Sequence, residues 1–155
     1  MTVPWFEGDV LTNGVRMHFY RTGCSTLPRL VLLHGSSDNG MCWISVAQAL
    51  QQEYDIVMPD ARGHGLSEKP ESGYESETMA ADAAGLIEAL GLAPGYLMGH
   101  SMGAATAAAC AAAYPELVSA LVLSDPPWWC EEPAVPAAEQ VAARVETMLK
   151  LVQLG

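Results

Sequence analysis

The sequence predicts an α/β fold with a mostly parallel, doubly wound sheet. Short apolar segments alternate with longer segments of helical period along most of the 155 residues. A single hairpin comes first and strand–helix repeats follow it, an order typical of a parallel sheet. Half of the residues are hydrophobic and 16% are charged, which is too apolar for a disordered chain. The length corresponds to one domain or to part of a larger one.

The first half of the chain contains a predicted hairpin and a buried strand. Residues 5–12 and 15–21 form the hairpin, because Asn13-Gly14 between them is the strongest two-residue hairpin signal. Residues 29–33 (RLVLL) are a continuous apolar run, which predicts a strand buried on both faces. The other predicted elements are a helix over 43–53, a strand over 55–59 and a polar loop over 60–73.

The second half continues the alternation of helices and strands. Residues 77–92 carry an apolar stripe of helical period, which ends at Gly91 and Pro94. Residues 101–114 predict an alanine-rich helix that Pro115 stops. The other predicted elements are strands over 95–100 and 118–124 and a helix over 137–154.

The net charge, the apolar stretches and the cysteines limit the classes of partner and cofactor that we expect. Seven basic against 18 acidic residues give a formal net charge of −11, which repels nucleic acid and anionic membranes. The first ten residues lack a signal-peptide pattern, and no apolar stretch approaches the ~20 residues that span a bilayer. The four cysteines are widely spaced, which disfavours a zinc site. We therefore expect a cytoplasmic protein without metal or other cofactor; the sequence predicts no oligomeric state.

Residues 99–103 (GHSMG) match the pattern G-x-S-x-G between a predicted strand and a predicted helix. A sharp turn there strains the serine backbone and requires small neighbours two residues away. The turn exposes the hydroxyl, and the helix N-terminus supplies N–H groups and a positive dipole end. This pattern predicts Ser101 as a nucleophile. The alternative is a serine that merely caps the helix.

Two further motifs follow the strands over 29–33 and 55–59. The first, residues 34–40 (HGSSDNG), can direct the backbone N–H of Ser36 to the same point as that of Met102, which would form an oxyanion hole. We expect His34 to brace this loop by hydrogen bonding; the alternative is a glycine-rich turn with a structural histidine. The second, residues 60–67 (DARGHGLS), is a polar turn and not a dinucleotide-binding fingerprint.

These three motifs, in this order and on these elements, resemble those of the α/β-hydrolase superfamily. The resemblance extends from the opening hairpin to the strand over 118–124. Residues 124–127 (SDPP) resemble a small-molecule amidase/esterase branch that includes N-formylmaleamate deformylase-like enzymes. That branch places its catalytic acid after strand six, which would be Asp125. The resemblance also implies that residues 1–127 are the N-terminal part of the core and 128–155 the start of a helical cap.

Asp125 is the predicted acid of the catalytic triad. It follows the last strand, at the edge where open α/β sheets place their chemistry, and its carboxylate could orient a histidine. The alternative is a turn aspartate ahead of two prolines. Asp60, in a structural loop, and Asp82, on a helix face, are weaker candidates for the acid.

The base is missing from the predicted triad. All four histidines precede Ser101, and in the resembling family the triad histidine follows the last strand, which this sequence does not reach. The sequence therefore predicts an N-terminal fragment of an enzyme. The alternative is a naturally short, inactive form.

An apolar pocket for an acyl group is predicted beside Ser101, partly from the cap that the resemblance implies. The two tryptophans after Asp125 could equally fill an interface between cap and core. The predicted lining residues are His34, Gly35, Trp43, His100, Trp128 and Trp129.

Together these motifs predict a serine hydrolase acting on a small ester, amide or lactone. Serine at position 101 excludes the haloalkane dehalogenase type, which needs an aspartate there. Carbon–carbon bond hydrolysis, perhydrolysis and cofactor-free oxygenation on the same fold stay open as alternatives. So does a non-catalytic half-domain that binds a ligand or partner, since fold alone does not decide function.

Overall fold

The computed structural model describes residues 5–23 and 26–127, and these residues form the predicted α/β fold. The predicted cap over 128–155, with its helix over 137–154, lies outside the described residues. The strands are β1 Phe6–Thr12, β2 Val15–Arg21, β3 Arg29–Leu33, β4 Asp55–Pro59, β5 Gly95–His100 and β6 Val118–Ser124. The helices are α1 Ile44–Leu50, α2 Ser76–Ala89 and α3 Met102–Ala113, with short 3₁₀ turns at Gly40–Trp43 and Pro115–Leu117.

The six strands form one sheet in the order β1-β2-β4-β3-β5-β6. The pairs β1–β2 and β2–β4 are antiparallel, and β4, β3, β5 and β6 run parallel to one another. The chain leaves β3 to one side to form β4 and then returns to the other side to form β5. The order therefore reverses at β3, and open α/β sheets bind ligands at the carboxyl ends of the strands beside such a reversal.

Both faces of the central strand β3 are covered, as expected for a doubly wound fold. Alternate residues of β3 point to opposite faces. Leu30 and Leu32 pack with Trp43 and α1 on one side, whereas Val31 and Leu33 pack with residues of α2 and α3 on the other. This alternation explains why β3 reads in the sequence as an unbroken apolar run.

The first helix is shorter than the sequence predicts. Its predicted range of 43–53 begins inside a 3₁₀ turn, whose first N–H groups include that of Met41, bonded to the side chain of Asn39. Regular α-helix spans Ile44–Leu50. Asn39 is the N-cap of this 3₁₀ turn, so the chain enters α1 through the turn rather than at Trp43.

Candidate active site

Ser101 occupies the turn between β5 and α3 with φ 51° and ψ −115°, a left-handed conformation that non-glycine residues rarely adopt. Its N–H donates to the carbonyl of Ser124 (2.9 Å), which fixes the turn to the end of β6. A methyl group on Gly99 would overlap the carbonyl of Gly103, and one on Gly103 would overlap that of Leu33. The predicted strained elbow is therefore confirmed, and the two glycines are sterically required.

The side chain of Ser101 is not a helix cap. No capping hydrogen bond joins it to the backbone of α3, so this alternative is wrong. Its hydroxyl makes no hydrogen bond to any residue that the structure describes. The hydroxyl is thus free to meet a ligand.

A cavity of about 360 Å³ adjoins the elbow. This volume is in the range of small-molecule sites. It brings together Ser101, Ser36 and Met102, which the sequence predicts to act together. The residues that line it are Ser36, Tyr74, Ser76, Met79, Ser101, Met102, Ala105, Thr106 and Pro127.

The peptide group between Gly35 and Ser36 has a fixed orientation. The Gly35 carbonyl accepts hydrogen bonds from Nδ1 of His34 (2.8 Å) and from the N–H of Asp38 (3.1 Å). Because C=O and N–H of a trans peptide point in opposite directions, the Ser36 N–H is directed away from these donors. Among the described residues it has no acceptor. Met102 is the first residue of α3, and the first N–H groups of a helix have no acceptor within the helix.

Gly35 lets this loop approach the elbow closely. A methyl group at Gly35 would lie 2.9 Å from Nδ1 of His100 and 3.6 Å from Cβ of Ser101. The first of these separations is shorter than real side chains tolerate. A larger residue at this position would therefore push the Ser36 peptide away from Ser101.

His34 braces the loop, as predicted. Its side chain is 2% exposed, Nδ1 donates to the Gly35 carbonyl, and Nε2 accepts from the N–H of Ala61 (2.9 Å). Burial lowers the pKa of the imidazole. Both ring nitrogens are committed, so His34 is not available as a base.

Asp60 and Asp82, the weaker candidates for the acid, are both buried and bonded within the fold. Asp60 is fully buried and accepts from the N–H groups of Gly40 and Leu66, each at 2.7 Å. Asp82, on α2, forms a buried ion pair with both Nε and Nη2 of Arg62. Both carboxylates thus hold together segments of the fold.

Asp125 lies next to Ser101 on the same edge of the sheet. The register pairs His100 of β5 with Ser124 of β6, so Ser101 and Asp125 are the residues that leave the sheet at matching positions. Asp125 is exposed and has φ 49°. Within residues 5–23 and 26–127 its carboxylate makes no hydrogen bond. Its position fits the predicted acid, and its role stays a prediction.

No histidine in the described part of the chain hydrogen-bonds to Ser101. His18 belongs to the hairpin, where Nδ1 lies 3.0 Å from the Asp9 carboxylate. Both nitrogens of His64 face backbone carbonyls. The sequence-based expectation that these histidines do not serve as the base stands as a prediction.

The pocket predicted from the sequence differs from the cavity in the structure. Trp43 is buried against α1 on the far face of the sheet, because its side chain continues the apolar set of Leu30 and Leu32. His34, Gly35 and His100 are not among the residues that line this cavity. Trp128 and Trp129 lie outside the described residues. These four described residues are therefore not pocket-lining residues of this cavity.

Several lining residues were missed by the sequence prediction. Ala105 and Thr106 follow Ser101 by about one helical turn, so the 3.6-residue period of α3 could have placed them beside it. Met79 was identified only as part of the apolar stripe of α2. Tyr74 lies in a loop, and no sequence period indicates its position.

The described residues contain no cluster of metal ligands and no helix that could cross a membrane. No three histidine, cysteine, aspartate or glutamate side chains there are grouped to hold a metal ion. None of the helices in residues 5–23 and 26–127 combines the length and apolarity needed to cross a membrane.

Residues 28–152 match the family described as alpha/beta hydrolase fold, and the chain belongs to this family. It is 42% identical over 83 residues to the soluble epoxide hydrolase of Corynebacterium sp. (strain C12), covering 54% of this chain and 28% of that enzyme. It is 39% identical over 121 residues to the N-formylmaleamate deformylase of Pseudomonas putida (strain KT2440), covering 77% of this chain and 45% of that enzyme. The resemblance that the motifs indicate is confirmed.

The solved structures agree with this assignment. The crystal structure of Cfl2 from Burkholderia cenocepacia matches with a TM-score of 0.77 at 31% identity, covering 92% of this chain and 55% of that chain. The chain spans less than half the length of either relative named above. The activities in their names are those of these longer proteins.

Proposed function

We propose that this protein is a serine hydrolase that acts on a small ester, amide or lactone through an acyl-enzyme intermediate. The observation that carries the proposal is Ser101, held in a left-handed turn with a free hydroxyl at the cavity that Ser36 and Met102 also line. Asp125 would orient a histidine that this chain does not contain, supplied by a C-terminal half of the fold.

The reaction proceeds in two stages. The hydroxyl oxygen of Ser101 attacks the carbonyl carbon, and the histidine takes the hydroxyl proton. The N–H groups of Ser36 and Met102 stabilise the negative oxygen that forms, with support from the positive end of α3. The tetrahedral intermediate expels the leaving alcohol or amine, which receives the proton. Water then hydrolyses the acyl-serine by the same route.

Epoxide hydrolysis is the second candidate, favoured by the 42% identity to a soluble epoxide hydrolase. The chemistry of Ser101 argues against it. A serine oxygen that opens an epoxide forms an ether, which water does not cleave under these conditions, whereas an acylated serine is an ester that water cleaves readily. A serine nucleophile therefore suits acyl substrates.

The test uses an extended form, meaning this chain followed by the C-terminal half of a homologous hydrolase that supplies the histidine. We expect the extended form to hydrolyse p-nitrophenyl butyrate and to be labelled at Ser101 by a fluorophosphonate. The change Ser101→Ala is expected to lower kcat roughly a millionfold. Ser45→Ala, at an exposed serine of α1, is the matched control and is expected to retain activity.

Three outcomes would contradict the proposal. They are activity of the Ser101→Ala variant within tenfold of the parent, absence of fluorophosphonate labelling, and turnover of styrene oxide without turnover of the ester. The unextended 155-residue chain is expected to be inactive, because it holds no histidine placed to take the Ser101 proton.

A further inference from the structure

His64 connects two loops at the edge of the sheet. Its Nε2 lies 3.0 Å from the carbonyl oxygen of Ser36, and its Nδ1 lies 2.9 Å from the carbonyl oxygen of Arg62. Ser36 belongs to the loop after β3, and Arg62 to the loop after β4. The side chain of His64 therefore joins the residue proposed to hold the oxyanion to a neighbouring, well-anchored loop.

The anchoring loop is held from several directions. Asp60 accepts from the N–H of Leu66, and its own carbonyl accepts from the hydroxyl of Ser67 (2.6 Å). Arg62 is paired with Asp82 of α2. A side chain fixed to this loop inherits its rigidity.

The two glycines beside His64 have a steric reason. Gly63 and Gly65 both have positive φ, 79° and 50°. A methyl group on Gly63 would lie 2.6 Å from the ring of Tyr74, and one on Gly65 would overlap the carboxylate of Asp60. The sequence R-G-H-G thus lets the backbone turn on both sides of the histidine, so that its ring reaches Ser36.

Two histidines hold the two peptide groups that flank Ser36. His34 donates to the carbonyl before Ser36, and Nε2 of His64 faces the carbonyl after it. The two rings touch edge to face, with centroids 5.1 Å apart. Because the peptide groups before and after Ser36 are both held, the direction of the Ser36 N–H is determined.

We propose that His64 is a positioning residue that sets the direction of the Ser36 N–H for transition-state binding. The inference rests on the proposed function, because it assumes that this N–H meets the oxyanion. Its distinctive feature is the donor at Nε2. The carbonyl oxygens of Ser36 and Arg62 both only accept, and a neutral ring carries a single N–H, so it donates to one of them at a time. In the proposed role, that N–H is on Nε2.

Two amide variants, His64→Gln and His64→Asn, distinguish this positioning role from a packing role of the ring. The amide nitrogen of glutamine can occupy the place of Nε2, whereas that of the shorter asparagine can occupy only the place of Nδ1. His64→Gln therefore keeps a donor for Ser36, and His64→Asn keeps one for Arg62 alone. If His64 served only the loop after β4, His64→Asn would have the higher kcat of the two variants, or the two would have equal kcat.

The kinetic test uses the extended form with p-nitrophenyl butyrate. We expect His64→Asn to lower kcat about tenfold to a hundredfold with KM within about threefold, less than the loss of a whole oxyanion donor. Inhibition by a butylboronic acid is expected to weaken by the same factor. His64→Gln is expected to stay within about threefold of the parent, as is His18→Gln, which removes a histidine of the hairpin.

A second measurement does not depend on catalysis. In ¹H–¹⁵N spectra of the 155-residue chain, His64→Asn is expected to shift the Ser36 amide resonance more than His64→Gln does. If the unaltered extended form shows no Ser101-dependent hydrolysis, the proposed function fails, and these spectra still decide whether His64 fixes the Ser36 peptide. Equal kcat in the two variants, or an unmoved Ser36 resonance in both, would overturn the inference.

Discussion

The carboxyl edge of the sheet has two halves that differ in how their polar groups are satisfied. After β3 and β4, His34 and Asp60 are buried and use their polar atoms in hydrogen bonds to the backbone. After β5 and β6, Ser101 and Asp125 adopt positive φ, and their side chains make no hydrogen bonds to residues of the described part. One half is bonded internally, and the other leaves its polar side chains free for a substrate or a further segment.

This difference explains how strain is kept at the elbow. A non-glycine residue in a sparsely populated region costs about 1–3 kcal/mol and persists only where the surroundings determine it. At Ser101 those surroundings are the bond to Ser124, the close packing of Gly99 and Gly103, and the braced loop of Gly35. The bonded half thus supports the reactive half.

Among the variants that compare the two halves of the edge, Asp125→Asn is expected to have the largest effect, and that effect is on activity. If Asp125 orients the triad histidine, Asp125→Asn should lower kcat of the extended form by about 10⁴-fold. Its exposed carboxylate should contribute less than about 0.5 kcal/mol to stability, as surface positions generally do. Ester hydrolysis and urea unfolding measure the two quantities. Activity within tenfold of the parent would place the acid elsewhere.

For Asp82 the expected effect is on stability. Asp82→Asn leaves the buried guanidinium of Arg62 without its countercharge, which should cost about 3–5 kcal/mol of unfolding free energy. Urea denaturation of the 155-residue chain measures the loss. A variant as stable as the parent would show that the bonded half of the edge does not depend on this ion pair.

The sequence predicts this edge well wherever a short motif determines the backbone. The strands over 15–21, 29–33, 55–59, 95–100 and 118–124 have the predicted bounds, because each is a short alternating or apolar segment between loops or turns. The elbow was predicted for a similar reason, since G-x-S-x-G encodes a steric requirement. Local rules determine local geometry.

The cavity wall was predicted less well, because it depends on which faces meet. Trp43 has the size and polarity of a pocket residue, yet it packs against α1 on the far face of the sheet. Tyr74 reaches the cavity from a loop by packing on Gly63. Such contacts arise from tertiary packing between distant segments, which periodicity does not encode.

The changes Gly103→Ala and Gly91→Ala distinguish two costs of adding a methyl group: steric overlap with neighbouring atoms and the strain of a left-handed backbone. Gly103→Ala forces a methyl group onto the carbonyls of Leu33 and His34 and should cost about 3 kcal/mol or more. Gly91→Ala is the matched control. It has φ 63° with open space around it, so only the left-handed backbone opposes the change, at about 1–2 kcal/mol. Equal losses in thermal unfolding would mean that the elbow is not tightly packed.

The smallest expected effect is the pH dependence of stability caused by His34. Burial lowers its pKa in the folded chain below the unfolded value of 6.5. Above pH 6.5 the ring is neutral in both states, and its stabilising bonds are fully present. As the pH falls through 6.5, the unfolded chain takes up the proton first, so the free energy of unfolding decreases. The slope from one proton is at most about 1.4 kcal/mol per pH unit.

The variant His34→Asn isolates this contribution from that of the other histidines. Its amide can still donate to the Gly35 carbonyl but does not titrate, and it gives up the acceptor for the N–H of Ala61. The variant should therefore be less stable at pH 8, and its unfolding free energy should change less between pH 8 and pH 5 than that of the parent. Parallel curves for the two proteins would mean that His34 takes up a proton equally easily in both states. The hydrogen bonds of His34 would then not hinder its protonation in the folded chain.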